Sequence, residues 1–213
     1  KPEDTRRFAA AIYADAQRMT QLVQDILMLS ELDEGKAGDR RESVDLYALA
    51  EQTVHSLAPA AEKAQVRLTL RGEKAALQGD PVLLQGIVRN LCDNAVKYNR
   101  PGGSVRVCVK PEATFVRLTV TDTGIGIPPE SRERVFERFY RVDKSRSRAN
   151  GGTGLGLSIV KHTVQLYGGT IRMESTPGKG TEIEVCLPQC GRSGRMDGET
   201  HKIQQELKMD KFK

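Results

Sequence analysis

The chain has 213 residues, 38% hydrophobic and 29% charged, enough for one well-packed domain plus extra elements. Its 33 Lys and Arg against 28 Asp and Glu leave a net charge of +5. That bias suits an anionic ligand, but without interleaved aromatics it is too small to argue for nucleic acid. No window approaches about 18 consecutive apolar residues, and no signal peptide is read, so nothing in the sequence reads as a membrane span.

Residues 1–33 read as one helix. Phe8, Ile12, Asp15, Met19, Leu22, Ile26 and Leu29 alternate by four and three, a heptad seam with Asp15 as its polar defect. The seam predicts a partner helix; packing on the chain's own domain is the competing reading. Residues 34–43 are polar with two glycines and read as a linker. Residues 44–64 read as an amphipathic helix, 66–70 as a strand, and 75–78 as a short second strand.

The next helix, about 81–99, carries the densest chemistry. Asp80 suits its N-cap and Pro81 its first turn. Leu84, Ile87, Val88, Leu91 and Ala95 form an apolar stripe. Asn90, Asp93, Asn94 and Lys97 share the opposite face, at spacings that bring side chains together. Amide oxygens, a carboxylate and an ammonium suit a hydrated Mg²⁺ carrying phosphates, because Mg²⁺ takes hard oxygen ligands and keeps several waters. By itself the face reads equally well as the solvated side of an amphipathic helix.

Pro101-Gly102-Gly103 is a turn, and 104–110 with 114–121 form an expected hairpin. Asp122-Thr123-Gly124-Ile125-Gly126-Ile127-Pro128 follows, where Asp122 ends a strand and the glycines allow close backbone approach to a ligand. Residues 129–140 contain a short helix within Arg134-Val-Phe136-Glu-Arg-Phe139-Tyr-Arg141. Residues 145–152 are polar and basic. Gly152-Thr153-Gly154-Leu155-Gly156-Leu157 then opens a helix over 157–167, so backbone amides and the helix dipole face incoming phosphates. Gly168-Gly169 ends that helix, and 170–174 with 181–187 close the sheet around Gly178-Lys179-Gly180-Thr181. A dinucleotide fold would need a hydrophobic strand before the glycines, and Ser145-Arg-Ser-Arg-Ala-Asn150 stands there instead. No Walker-type glycine-lysine loop is present.

Strands mixed with three substantial helices, without strict β-α-β alternation, predict an α+β chain. The expected architecture is a two-layer α/β sandwich with helices on one face of a mixed sheet. The four cysteines, Cys92, Cys108, Cys186 and Cys190, lack metal-ligand spacing with histidine and read as free reduced thiols of a cytosolic domain.

The ordered motifs, from about Val44 to Pro188, resemble the ATP-binding catalytic domain of sensor histidine kinases, with its N, G1, F, G2 and G3 boxes. Met28-Leu-Ser-Glu-Leu-Asp-Glu-Gly-Lys36 is similar to the end of the second dimerisation helix of that family. The resemblance implies the GHKL-type (Bergerat) ATP-binding fold after a long dimerisation helix. It divides the chain into a dimerisation helix (1–33), linker (34–43) and catalytic domain (44–190); residues after Pro188 do not resemble the family, and 191–213 read from their composition as a flexible tail with a short charged helix over 201–213. It implies ATP and Mg²⁺ as ligands. Asn94 would be the principal metal ligand and Asn90 a second metal or water contact. Lys97 would hold phosphate, Asp93 would orient a water or a neighbouring side chain, and Tyr98 would flank the nucleotide. Asp122 would accept from the adenine amine, supported through water by Thr181, in a pocket with Gly124, Gly126 and Ile127. Gly152, Thr153, Gly154, Leu155, Gly156 and Leu157 would cradle phosphates. Residues 128–151 would form a lid docked by Phe136 and Phe139, with Arg141 approaching the triphosphate; Lys144, Arg146 and Arg148 read as solvated lid charges.

The family phosphorylates a histidine followed by an acidic residue and, shortly after, a proline. The three histidines here, His55, His162 and His201, precede Ser56, Thr163 and Lys202, and none fits. The expectation is a kinase core whose acceptor helix, sensor and membrane segments lie outside this sequence. Such a core binds ATP without phosphorylating itself on histidine. Its parent would be a homodimeric inner-membrane sensor that passes phosphate to a response-regulator receiver domain, with this domain in the cytoplasm. The alternatives are another ATPase of the gyrase, Hsp90 and mismatch-repair group, a serine kinase of the anti-sigma type, or a non-catalytic nucleotide-binding or dimerisation module.

Overall fold

A computed structural model describes residues 2–35, 40–143 and 152–189. The expected tail helix and the lid charges Lys144, Arg146 and Arg148 lie outside the described residues. Helix α1 runs over Pro2–Asp33, and β1 over Glu42–Asp45. Helix α2 (Leu46–Lys63), β2 (Arg67–Gly72), β3 (Ala76–Gly79) and α3 (Pro81–Lys97) follow. Strands β4 (Ser104–Pro111) and β5 (Phe115–Asp122) precede single helical turns at Pro129–Ser131 and Arg134–Phe136. Helix α4 (Gly156–Leu166), β6 (Thr170–Thr176) and β7 (Gly180–Pro188) complete the chain.

The main sheet has five strands in the order β2-β4-β5-β7-β6. Strands β2 and β4 run parallel and the other pairs antiparallel, so the sheet is mixed. Strand alternation sorts its faces. Val105, Val107, Val109, Val116, Leu118, Val120, Val185 and Leu187 are buried against α2, α3 and α4. Arg106, Cys108, Lys110, Arg117, Thr119, Thr121, Glu182 and Glu184 share the opposite, polar face. This is the expected sandwich, with three helices on one face.

One stretch differs from the sequence reading. Residues 42–45, expected as the end of the linker and the start of a helix, form β1 and pair antiparallel with β3. The reason is Asp45: its Oδ1 accepts from Tyr47 N (3.1 Å), capping α2, and from Ala75 N (3.0 Å), tying that cap to β3. Val44 is buried opposite Leu77, a contact that helical periodicity cannot reveal. At α3 the reading holds: Asp80 accepts from Val82 N at 2.8 Å, with Pro81 in the first turn.

The heptad seam of α1 divides. Leu22 and Leu29, with Met28 and Leu32, pack on Leu155 and Ile159 at the start of α4. Phe8, Ile12, Met19 and Ile26 stay exposed. The chain's own domain therefore occupies the C-terminal end of the seam, as the competing reading had it, and leaves the rest open.

Candidate nucleotide site

Helix α3, the turn after β5, the loop before α4 and the end of α1 enclose a cavity of about 880 Å³. That volume lies in the range of small-molecule and cofactor pockets. Asn90, Asp93, Asn94, Lys97, Tyr98, Asp122, Gly126 and Ile127 line it. So do Arg141, Gly152, Thr153, Gly154, Gly156, Leu157 and Thr181. Of the sequence-derived candidates, Gly124 and Leu155 stand outside its wall. Leu155 is buried beneath the loop against Leu29 of α1, which gives it a packing role.

The β5 end of the cavity is closely built. Asp122 Oδ1 accepts from Gly124 N (2.7 Å) and Thr181 N (3.3 Å). Burial pushes the Asp122 carboxyl above the usual aspartate range, and the two amides pull the other way. Thr181 and Ser175 hydroxyls meet at 2.8 Å, and Ser175 Oγ also accepts from Ile127 N (2.8 Å). Ser175 was missed because the last β6 residues were left out of the expected strand; register opposite Thr181 places it there. Gly126 has φ +69, and a Cβ on it would lie 2.1 Å from Thr176 O. This glycine therefore lets one backbone segment pass close to another in the cavity wall.

The α3 face is held in a definite state. Asn90 Nδ2 donates to Gly86 O (2.9 Å), which leaves Oδ1 as the outward group. A Cβ on Gly156 would sit 2.7 Å from that Oδ1, so α4 starts with the residue that lets it approach α3. Lys97 Nζ lies 2.6 Å from Asp93 Oδ2, one helical turn away. The two side chains thus pair on one face of α3. Asn94 makes no side-chain hydrogen bond to a described residue.

Arg141 lines the same cavity, with its Nε and one terminal nitrogen buried without a hydrogen-bond partner among the described residues. A buried guanidinium left unpaired is costly, and an anion in the cavity would relieve it. Phe139 departs from expectation. Its side chain is 60% exposed, and its backbone, at φ +61, donates to Gly154 O at 2.9 Å. Phe136 is half-buried.

The sequence also gave no hint that α1 forms part of this wall. Gln21, Gln24, Asp25 and Met28 line the cavity, and Asp25 is bonded to Thr153 of the glycine loop. Among the described residues no group of three or more His, Cys, Asp or Glu forms a metal cluster. Any cation here would rest on amide oxygens and on the oxygens of a bound ligand. The described cysteines, Cys92, Cys108 and Cys186, are free thiols, and burial pushes Cys92 up to about 12.

Comparison with known proteins agrees with this geometry. Residues 79–190 match the family described as histidine kinase-, DNA gyrase B- and HSP90-like ATPases. The sensor-like histidine kinase SenX3 of Mycolicibacterium smegmatis is 36% identical over 189 residues, covering 88% of this chain and 49% of that protein. The probable sensor histidine kinase TcrY of Mycobacterium tuberculosis is 40% identical over 190 residues, covering 89% and 40%. The chain therefore spans half the length or less of these relatives. Among solved structures, the mycobacterial sensor histidine kinase MprB superposes with TM-score 0.62 at 31% identity, over 72% of this chain and all of that one. Full-length ShkA in complex with AMPPNP superposes with TM-score 0.73 at 27% identity, over 89% and 40%.

Proposed function

The chain belongs to the family of histidine kinase-, DNA gyrase B- and HSP90-like ATPases, and we propose that its cavity binds Mg²⁺-ATP as the catalytic core of a sensor histidine kinase. The observation that carries the reading is one cavity lined both by a buried, amide-bonded carboxylate, Asp122, and by Arg141, whose guanidinium has two nitrogens without a hydrogen-bond partner among the described residues. The first suits a base that offers an amine, and the second suits phosphate.

The residues present fit Mg²⁺-ATP. Asn90 offers its oxygen because its NH₂ is committed to Gly86, and Asn94 keeps its amide for a ligand. Such neutral hard oxygens suit Mg²⁺ that retains waters and phosphate oxygens. With ATP the metal would neutralise charge at the transferred phosphoryl group. The chain's own task is positioning and charge. Asp122 accepts from the base, and Ser175 and Thr181 hold the surrounding backbone. Lys97, steadied by Asp93, and Arg141 face the phosphates. The loop before α4 supplies amides and a helix start.

The phosphate would pass to a histidine and then to a receiver-domain aspartate of a response regulator. The parent would be a homodimer, with residues 1–33 as a dimerisation helix, 34–43 as linker and 44–190 as the catalytic domain. Placing it as the cytoplasmic domain of a membrane sensor rests on the relatives. What the structure itself provides is that no described helix is long and apolar enough to cross a membrane. Neither His55 nor His162 lines the cavity, so a histidine on another helix would be the acceptor.

The test is calorimetric titration with a non-hydrolysable ATP analogue, with and without Mg²⁺, on the native chain and Asp122→Asn. Binding that depends on Asp122 and changes with Mg²⁺ is the expected result. A folded protein that binds no nucleotide would reject the reading.

A further inference from the structure

Helix α1 brings one acidic side chain to the glycine loop. Asp25 is 8% exposed, with both carboxylate oxygens engaged. Gln21 Nε2 donates to Oδ1 at 2.8 Å, and Thr153 Oγ1 donates to Oδ2 at 2.8 Å. Both donors are neutral, and no described cation pairs with Asp25. Thr153 Oγ1 also accepts from Leu155 N (3.3 Å), so the same hydroxyl fixes the loop where α4 begins.

A buried carboxylate without a countercharge is costly to keep, and neutral donors offset only part of that cost. Its field therefore reaches the adjoining cavity, screened less than that of an exposed charge. The nucleotide domain lines that cavity with three basic groups, Arg89, Lys97 and Arg141, and three acidic ones, Asp93, Asp122 and Asp143, with Lys97 paired to Asp93. Asp25 adds a further negative charge from α1, at the loop expected to receive phosphate. The position of α1 is not accidental. Leu29 is buried on Leu155 and Ile159, and at the helix end Arg138 donates to Asp33 Oδ1 at 2.6 Å while contacting His162 Nε2 at 3.2 Å.

We propose that Asp25 is a specificity-determining residue of the nucleotide site: docked α1 places its carboxylate on the glycine loop and disfavours ATP relative to ADP. The inference rests on the reading of the cavity as a nucleotide site. The penalty scales with phosphate charge, so it is greatest for the triphosphate and absent for adenosine. The positions of α1 and the nucleotide's charge are thereby coupled: a triphosphate favours α1 undocked, and docked α1 favours a more weakly charged ligand.

The experiment is titration of the full chain with adenosine, ADP and a non-hydrolysable ATP analogue, in the native protein, Asp25→Asn and Asp25→Ala. Circular dichroism and adenosine affinity report whether each variant keeps its fold and base pocket. Asn removes the charge and keeps an acceptor for Thr153; Ala removes both. Expected is a rise of about fivefold in the affinity ratio of ATP analogue to ADP in both variants, with adenosine unchanged. An unchanged ratio in Asp25→Asn, or a fall in Asp25→Ala alone, would mean that only the bond to Thr153 matters and would overturn the inference, while nucleotide binding by the native chain stood. A native chain that binds none of the three ligands would remove the proposed function and this inference with it.

Discussion

The two ends of the cavity are made differently. At the β5 end, Asp122, Ser175, Thr181 and Ile127 are joined by short bonds across neighbouring strands, over a sheet face buried by three helices. At the α3 end, the polar groups come from α3, the loop before α4, the segment at Arg141 and the last turns of α1. One of them, Arg141, has two nitrogens without a partner among the described residues. The first end is preorganised and suits recognition of a constant group. The second is assembled from four segments distant in sequence, the arrangement that a site gated by a conformational step would use.

The largest blow to this contrast would fall on the rigid end. Leu118 is fully buried under β5, and Leu118→Ala should cost about 3 kcal/mol in denaturant unfolding through the cavity it leaves. Leu29→Ala, in the small cluster that holds α1, should cost less, about 2 kcal/mol. Equal losses would mean that α1 is as firmly integrated as the sheet.

Next comes Asp122→Asn, which should weaken every adenine nucleotide by about 30-fold, near 2 kcal/mol, adenosine included. The same carboxyl predicts a pH effect. Its value is raised in the fold, so the native state holds that proton more tightly than the unfolded chain. The contribution to stability is present at low pH and lost as pH rises through the folded value. Acidification should therefore weaken nucleotide binding at a pH above that of an ordinary aspartate, without this group unfolding the chain. Calorimetry paired with circular dichroism separates the two effects.

Arg141→Ala should weaken the ATP analogue by about tenfold and leave adenosine unchanged, because a guanidinium at the phosphate end reads charge and not base. Loss of adenosine binding in that variant would place Arg141 in the wrong half of the site. Smallest is Ser175→Ala, about 1 kcal/mol in stability with a modest loss for all ligands alike, from the bonds to Thr181 and Ile127.

Much of this was legible beforehand where the signal is local. Asp80 and Pro81 announce α3, period-2 valines announce β4 and β5, and the face of Asn90, Asp93, Asn94 and Lys97 follows from helical spacing alone. What escaped depends on pairing. Residues 42–45 read as the end of a linker and the start of a helix until β3 lies beside Val44, and Ser175 falls just beyond the expected strand until register sets it opposite Thr181. Phe139 looks like a hydrophobic anchor, yet its backbone makes the contact and its ring faces solvent.

The sequence by itself determined the sandwich, the order of its motifs and the chemistry of each loop, because caps, turns and periodic burial act over a few residues. Only the tertiary structure decided which end of the cavity is rigid, that Asp93 holds Lys97, and that α1 presses Asp25 onto the glycine loop. Asp25 and Thr153 are 128 positions apart. No periodicity spans that distance; only the packing of Leu29 on Leu155 and Ile159 brings the carboxylate to the loop.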